Sequence, residues 1–166
     1  DGTFDSWEIR ARPEPAVESC AGDWCRQHLA GYTGMVNLET IGGRIIEMHL
    51  RFSDQWPDLY GEGWVEALVR LYAQQEWLYE DRDRRTGYSV VLFMPHGRSY
   101  YHPPPALVEG IERMAGVSSV QITFHETMAP EKHAMPPGGF RVAIVNCWHR
   151  EAGNEARSLL RDHFSA

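Results

Sequence analysis

Two glutamates flank a Gly-Gly pair in the first half of the chain, in two runs that alternate apolar and polar residues as the strands of a β-hairpin do. Because side chains alternate along a strand, Asn37 and Glu39 share one face of the first run. Glu47, His49 and Arg51 share one face of the second run by the same rule. These residue types, grouped on one face, are able to bind a cation or a phosphate.

A loop formed by residues 42–44 would place Glu39 directly opposite Glu47, and Asn37 opposite His49. Two carboxylates that face each other repel and destabilise a strand pair unless positive charge lies between them. A divalent cation supplies that charge, since Mg²⁺ is typically held by one or two carboxylates together with substrate phosphates. The pattern therefore predicts a cation site, and the alternative is an ordinary hairpin with its polar face in solvent.

These residues resemble the metal-binding hairpin of the ATP-grasp ligases, biotin carboxylase among them. In that family a first glutamate lies near the end of one strand, and the next strand carries a Glu-x-Asn-x-Arg pattern. Here residues 34–39 read Gly-Met-Val-Asn-Leu-Glu, and residues 45–51 read Ile-Ile-Glu-Met-His-Leu-Arg. The resemblance implies that Glu39 and Glu47 hold a metal bound to ATP, and that Arg51 lies beside the phosphates as a catalytic residue.

His49 occupies the position at which the family usually has asparagine. A neutral imidazole can ligate a metal, although it suits Mn²⁺ or Zn²⁺ better than Mg²⁺. It could instead pair with Glu47 and leave the metal to the carboxylates. The resemblance implies Glu39, Glu47 and His49 as metal ligands, Asn37 and Arg51 as contacts of ATP, and Mg²⁺ (or Mn²⁺) and ATP as cofactors.

The resemblance covers most of the chain after residue 16. Residues 135–145, Met-Pro-Pro-Gly-Gly-Phe-Arg-Val-Ala-Ile-Val, are similar to the small C-terminal domain of the biotin carboxylase and purine-ligase branch. The implied function is that of an ATP-dependent ligase joining a carboxylate to an amine or a thiol, with ATP and the carboxylate substrate held through a preceding region. The lysine and glycine-rich loop that grip ATP in the family have no counterpart here, since Lys132 is the only lysine.

The chain is therefore expected to be a fragment of such a ligase, and to be inactive alone. It begins Asp-Gly-Thr-Phe, without a methionine. The alternative, from a different class, is a non-catalytic α+β module that uses its sheet for interaction or assembly, with which a homodimer would be consistent.

Hydrophobic periodicity and turn residues predict the elements that position these side chains. Predicted strands cover residues 3–10, 35–41, 44–52, 88–94, 117–125 and 140–146, and predicted helices cover residues 16–30, 64–78, 106–115 and 151–163. Hairpins mixed with helices indicate an α+β fold, an antiparallel sheet with flanking helices. The charged run 80–87 is predicted to link the C-terminal part of an ATP-grasp domain, residues 1–79, to a small α/β subdomain, residues 88–166.

Composition excludes several classes of protein. Hydrophobic residues make up 43% of the chain and aromatic residues 11%, which is typical of a globular domain. A net charge of −7 disfavours a nucleic-acid partner. Three scattered cysteines, no visible secretory leader and no long apolar stretch predict a cytoplasmic protein without a membrane segment.

The remaining histidines show no metal-binding or catalytic spacing, and Cys147, although close to His149, is predicted to be a core residue rather than a nucleophile.

Overall fold

The computed structural model describes residues 1–82, 84–129, 132–133 and 136–166, which form two compact units. One unit contains residues 1–10 and 85–166, and the other contains residues 11–84. The elements are β1 (Ser6–Ile9), α1 (Pro15–His28), β2 (Asn37–Ile41), β3 (Arg44–His49), α2 (Trp64–Gln74), β4 (Gly87–Met94), α3 (Pro105–Glu112), β5 (Val117–Ile122), β6 (Phe140–Cys147) and α4 (Arg150–Ser165), with a 3-10 turn at Pro57–Tyr60. The predicted α+β class is confirmed.

The larger unit is built on an antiparallel sheet with the strand order β1-β4-β6-β5. Because β6 pairs antiparallel with both β4 and β5, those two strands are parallel to each other and are connected through α3. This is a split β-α-β arrangement, and α4 follows its last strand.

Strand β1 corrects the predicted domain division. The sequence predicts residues 1–10 to be part of the first segment, 1–79, whereas β1 pairs antiparallel with β4 and belongs to the same unit as residues 85–166. The chain passes from one unit to the other after residue 10 and back again after residue 84, and the second of these points lies within the charged run 80–87. Pairing between strands distant in sequence leaves no local signal, and for that reason the pattern of residues 3–10 predicts a strand but not its neighbour.

The core of the larger unit lies between the sheet and its helices. Helix α4 contributes Ala156, Leu160 and Phe164, which recur every four residues and form one buried stripe. From the sheet, Val142 and Val145 are fully buried against this cluster. The long apolar runs of β4 and β6 are buried along almost their whole length, as expected for central strands.

Two helical glycines differ in the space around them and provide matched substitutions. A Cβ added at Gly153 in α4 would lie 2.5 Å from Cys147 Sγ and 2.7 Å from Val90 Cγ2, whereas one added at Gly110 in α3 would meet nothing within 4 Å. Alanine is favoured over glycine in a helix by roughly 0.5–1 kcal/mol. We therefore expect Gly110→Ala to raise the free energy of unfolding by about that amount.

Gly153→Ala should instead lower the free energy of unfolding by roughly 1–3 kcal/mol, because α4 must move away from the sheet to admit the methyl group. Urea denaturation of the two variants measures both values. Stabilisation by both substitutions would contradict the close packing of α4 on the sheet.

The unit of residues 11–84 has a core rich in aromatic residues. Trp64 is buried and stacks on Tyr60, with 4.4 Å between ring centroids and 28° between planes. Phe52 and Trp77 meet the same indole edge-on. Around this cluster, Leu59 of the 3-10 turn is buried, together with the inner face of α2. Helix α1, by contrast, contains no buried residue among its described positions.

None of the helices in the described part of the chain has the length and apolar character needed to cross a membrane.

Candidate metal centre

The register of the β2–β3 hairpin brings the two predicted acidic residues together. Glu39 is paired with Glu47, and Asn37 is paired with His49. Directly paired residues of antiparallel strands point to the same face, so the two carboxylates and the imidazole share one face of the hairpin. This part of the sequence-based prediction is confirmed.

The loop that produces this register differs from the predicted one. Ile41 pairs with Arg44, so the loop consists of Gly42 and Gly43 alone and not of three residues. Their φ angles are 57° and 76°, as the tight type I′ hairpin turn requires. Glycine adopts such angles without steric cost, and this explains the Gly-Gly pair.

A β-bulge restores the pairing of the glutamates. With a two-residue loop and no bulge, Glu39 would pair with Ile46, and Glu47 would point to the opposite face. The register instead shifts between Glu39 and Thr40, which leaves Ile46 as the extra residue of β3. Bulges are often found beside functional sites, where they redirect one side chain. Across a two-residue loop without a bulge, paired residues are an odd number of positions apart. Glu39 and Glu47 are an even number of positions apart, and this spacing is the sequence signal for the bulge.

The ligand atoms of the three side chains converge. His49 Nε2 lies 3.1 Å from Glu47 Oε1 and 3.9 Å from Glu39 Oε1. One ligand atom from each residue lies within 4.8 Å of the others. Metal–ligand bonds of about 2.0–2.2 Å place neighbouring ligands roughly 3 Å apart, so small side-chain rotations would suffice to bind a common ion.

Solvent reaches the centre from one side. The side chains of Glu39 and Glu47 are 48% and 54% exposed, and that of His49 is 29% exposed. An ion held by three protein ligands on an open face keeps coordination positions for water or for phosphate oxygens. The donor set of two carboxylates and one imidazole suits Mn²⁺ and also accommodates Mg²⁺ or Zn²⁺.

The contact between His49 and Glu47 also corresponds to the second arrangement that the sequence left open. A protonated imidazole beside the carboxylates would offset part of their repulsion without a metal. The structure shows His49 beside Glu47, and the binding of a cation by all three side chains stays a prediction.

Arg51 is not brought into this cluster. Strand β3 ends at His49, so the alternation of faces used to place Arg51 does not extend to it. Its guanidinium donates a hydrogen bond of 3.0 Å to the carbonyl oxygen of Phe52 and lies 3.8 Å from the carboxylate of Asp54. Its place beside the phosphates of ATP stays a prediction.

Cys147 lies in the core, as predicted. Its side chain is fully buried and its thiol lies 3.5 Å from the carbonyl oxygen of Tyr88. Burial raises the pKa of this thiol to about 11, so it stays protonated and a poor nucleophile at neutral pH.

Comparison of the chain with protein-family models gives no match, and neither do comparisons with curated proteins and with solved structures.

Proposed function

We propose that the β2–β3 hairpin binds one divalent cation through Glu39, Glu47 and His49. The observation that carries this proposal is the convergence of one ligand atom from each residue to within 4.8 Å, on a face that also has room for further ligands. Two facing carboxylates destabilise an antiparallel pair, and a positive charge between them offsets their repulsion. A bound cation provides that charge.

The proposed biological role is that of an ATP-grasp-type ligase, for which the hairpin supplies the metal. The pairing of Glu39 with Glu47, and the Glu-x-His-x-Arg pattern that follows, support it. In such an enzyme the metal would neutralise the phosphates of ATP while a carboxylate is activated as an acyl phosphate for attack by an amine or a thiol. ATP and the carboxylate substrate would be held mainly by a preceding region.

The cytoplasm is the proposed location, because the cysteines at positions 20, 25 and 147 are all free thiols and a reducing compartment keeps them so.

The exposed apolar face of helix α2 favours a second candidate function, which is interaction with another chain or assembly. Its residues Val65, Val69 and Tyr72 are 47%, 63% and 54% exposed and recur at the spacing of one helical face. An apolar stripe of this kind is suited to association with another chain, including a second copy of this one. A stable dimer without affinity for divalent ions or nucleotide would favour this candidate over the ligase.

The identity of the metal can be tested at His49. Replacing it with the asparagine usual in the family removes the imidazole ligand, which favours Mn²⁺ over Mg²⁺. We expect His49→Asn to lower the ratio of Mn²⁺ to Mg²⁺ affinity about tenfold, or about 1.4 kcal/mol. Electron paramagnetic resonance reports free Mn²⁺ in a titration with Mg²⁺ as competitor. His28→Asn, at an exposed histidine of the same unit, is the control, and an unchanged ratio in His49→Asn would exclude the imidazole as a ligand.

Weak binding of ATP is expected if the hairpin supplies the metal of an ATP-grasp-type ligase. The lysine and the glycine-rich loop that hold the phosphates in the ATP-grasp family have no counterpart here, and the one lysine of the chain belongs to the other unit. We expect calorimetry with Mg-ATP to give a dissociation constant in the range of about 1 mM or weaker, a binding free energy of about 4 kcal/mol or less. A low-micromolar constant would contradict the view that a preceding region grips the nucleotide.

A further inference from the structure

The unit of residues 1–10 and 85–166 has a cavity of its own, which contains no residue of the hairpin. Its volume is about 500 Å³, within the range of pockets that hold small molecules. It lies at the end of the sheet where β6 begins, and its aromatic lining comprises Phe4, Trp7, Phe93, Phe124 and Phe140. What this cavity binds does not depend on the cation proposed for the hairpin.

Aromatic rings dominate the lining of the cavity. Phe4 meets Trp7 and Phe93 edge-on, at centroid distances of 4.5 Å and 5.4 Å. His133 lies flat on Phe140, with 4.0 Å between centroids and 8° between planes. Rings arranged at these angles offer both faces and edges to a ligand, so the cavity suits a ligand with a flat apolar group.

The sheet itself places a charge among these rings. Phe93 of β4 pairs directly with Arg141 of β6, so the ring and the guanidinium point to the same face. The register shifts between Leu92 and Phe93, and this bulge sets the face on which the pair lies. Thr123, the residue directly after β5, donates a 2.8 Å hydrogen bond to the carbonyl oxygen of Arg141 and ties the end of β5 to this position.

All formal charge on the described lining residues is positive. Lys132, the only lysine of the chain, and Arg141 line the cavity, and no described lining residue is an aspartate or a glutamate. The chain as a whole has a net charge of −7, so this concentration of cations departs from its general surface. Aromatic rings alone would also suit an organic cation, but Lys132 and Arg141 would repel one.

We propose that this cavity binds an aromatic carboxylate, with its ring among the aromatic side chains and its carboxylate on Lys132 and Arg141. An arginine can bind a carboxylate through two parallel hydrogen bonds, and a lysine adds a further charged donor. The ring of the ligand supplies apolar area for burial, which a small inorganic anion lacks.

Three probes separate the contribution of the negative charge from that of the ring. They are 3-phenylpropionate, its neutral amide 3-phenylpropionamide, and propionate, which lacks the ring. Titrations followed by ¹⁵N–¹H correlation spectra should show 3-phenylpropionate binding at least tenfold more tightly than the other two, or about 1.4 kcal/mol or more. The shifts should concentrate on the residues that line the cavity. Equal binding of acid and amide, or no binding of the acid at roughly 10 mM, would overturn the proposal.

Substitutions of Lys132 and Arg141 test whether these two side chains bind the carboxylate of the ligand. Lys132→Met, at an exposed position, and Arg141→Met should each weaken 3-phenylpropionate about tenfold and leave the amide unchanged. Arg113→Met removes an exposed arginine of the same unit that pairs with Glu109, and should have no effect. Unchanged affinity in both Lys132→Met and Arg141→Met would overturn the proposal, and tighter binding of phenyl phosphate than of 3-phenylpropionate would overturn the choice of a carboxylate.

Discussion

Millimolar Mn²⁺ should raise the melting temperature of the wild-type chain and change that of Glu47→Gln much less. A ligand that binds only the folded state stabilises it by about 2.7 kcal/mol at a concentration 100 times its dissociation constant. For a unit of the size of residues 11–84, that corresponds to a rise of roughly 10–20 °C. Removing one of two carboxylate ligands should abolish most of this rise.

Without metal, the same substitution should change stability little. Glu47→Gln relieves the repulsion from Glu39 but removes the exposed contact with His49. Each effect is on the order of 1 kcal/mol or less, and the two have opposite signs. Glu66→Gln, at an exposed glutamate of α2 in the same unit, is the control and should keep the full metal-induced rise. An equal rise in wild type and Glu47→Gln would show that Mn²⁺ binds elsewhere.

Leu160→Ala should cause a large loss of stability in the other unit. Leu160 is fully buried in the core against the sheet, and truncating such a leucine costs roughly 2–5 kcal/mol through lost burial and the cavity left behind. Its neighbour Leu159 lies on the same helix and is 42% exposed. Leu159→Ala should therefore cost about 0.5 kcal/mol, as is typical of surface substitutions.

The two leucine variants are compared by the urea concentration at the midpoint of unfolding, provided that the slope of the transition is unchanged. Similar losses in both would contradict the orientation of α4 on the sheet. Reversed losses would mean that the helix presents its other face.

Features that depend on neighbouring residues could be predicted from the sequence. The stripe of Ala156, Leu160 and Phe164 repeats at helical spacing, and the Gly42-Gly43 pair marks a tight turn between alternating runs. Each signal is local, because one helix face or one turn determines it. The elements and the pairing of the glutamates followed from such signals.

Features that depend on distant residues could not be predicted in this way. The pairing of β1 with β4 and that of Phe93 with Arg141 join segments far apart in sequence, which no periodicity reveals. The face on which Arg51 lies cannot be predicted for a different reason, since alternation holds only while the strand continues, and β3 ends at His49. The bulge at Ile46 altered the turn but not the pairing of the glutamates.

Paramagnetic broadening by Mn²⁺ shows where a divalent cation binds, and so tests whether Glu39, Glu47 and His49 hold one. Substoichiometric Mn²⁺ added to ¹⁵N-labelled protein broadens amide signals near the ion. A site formed by these three residues predicts that the signals of residues 37–41 and 44–49 broaden first, that excess Mg²⁺ restores them, and that Glu47→Gln prevents the effect. Broadening that begins elsewhere, for example at the acidic residues Glu80 and Asp81, or that is the same in Glu47→Gln, would contradict it.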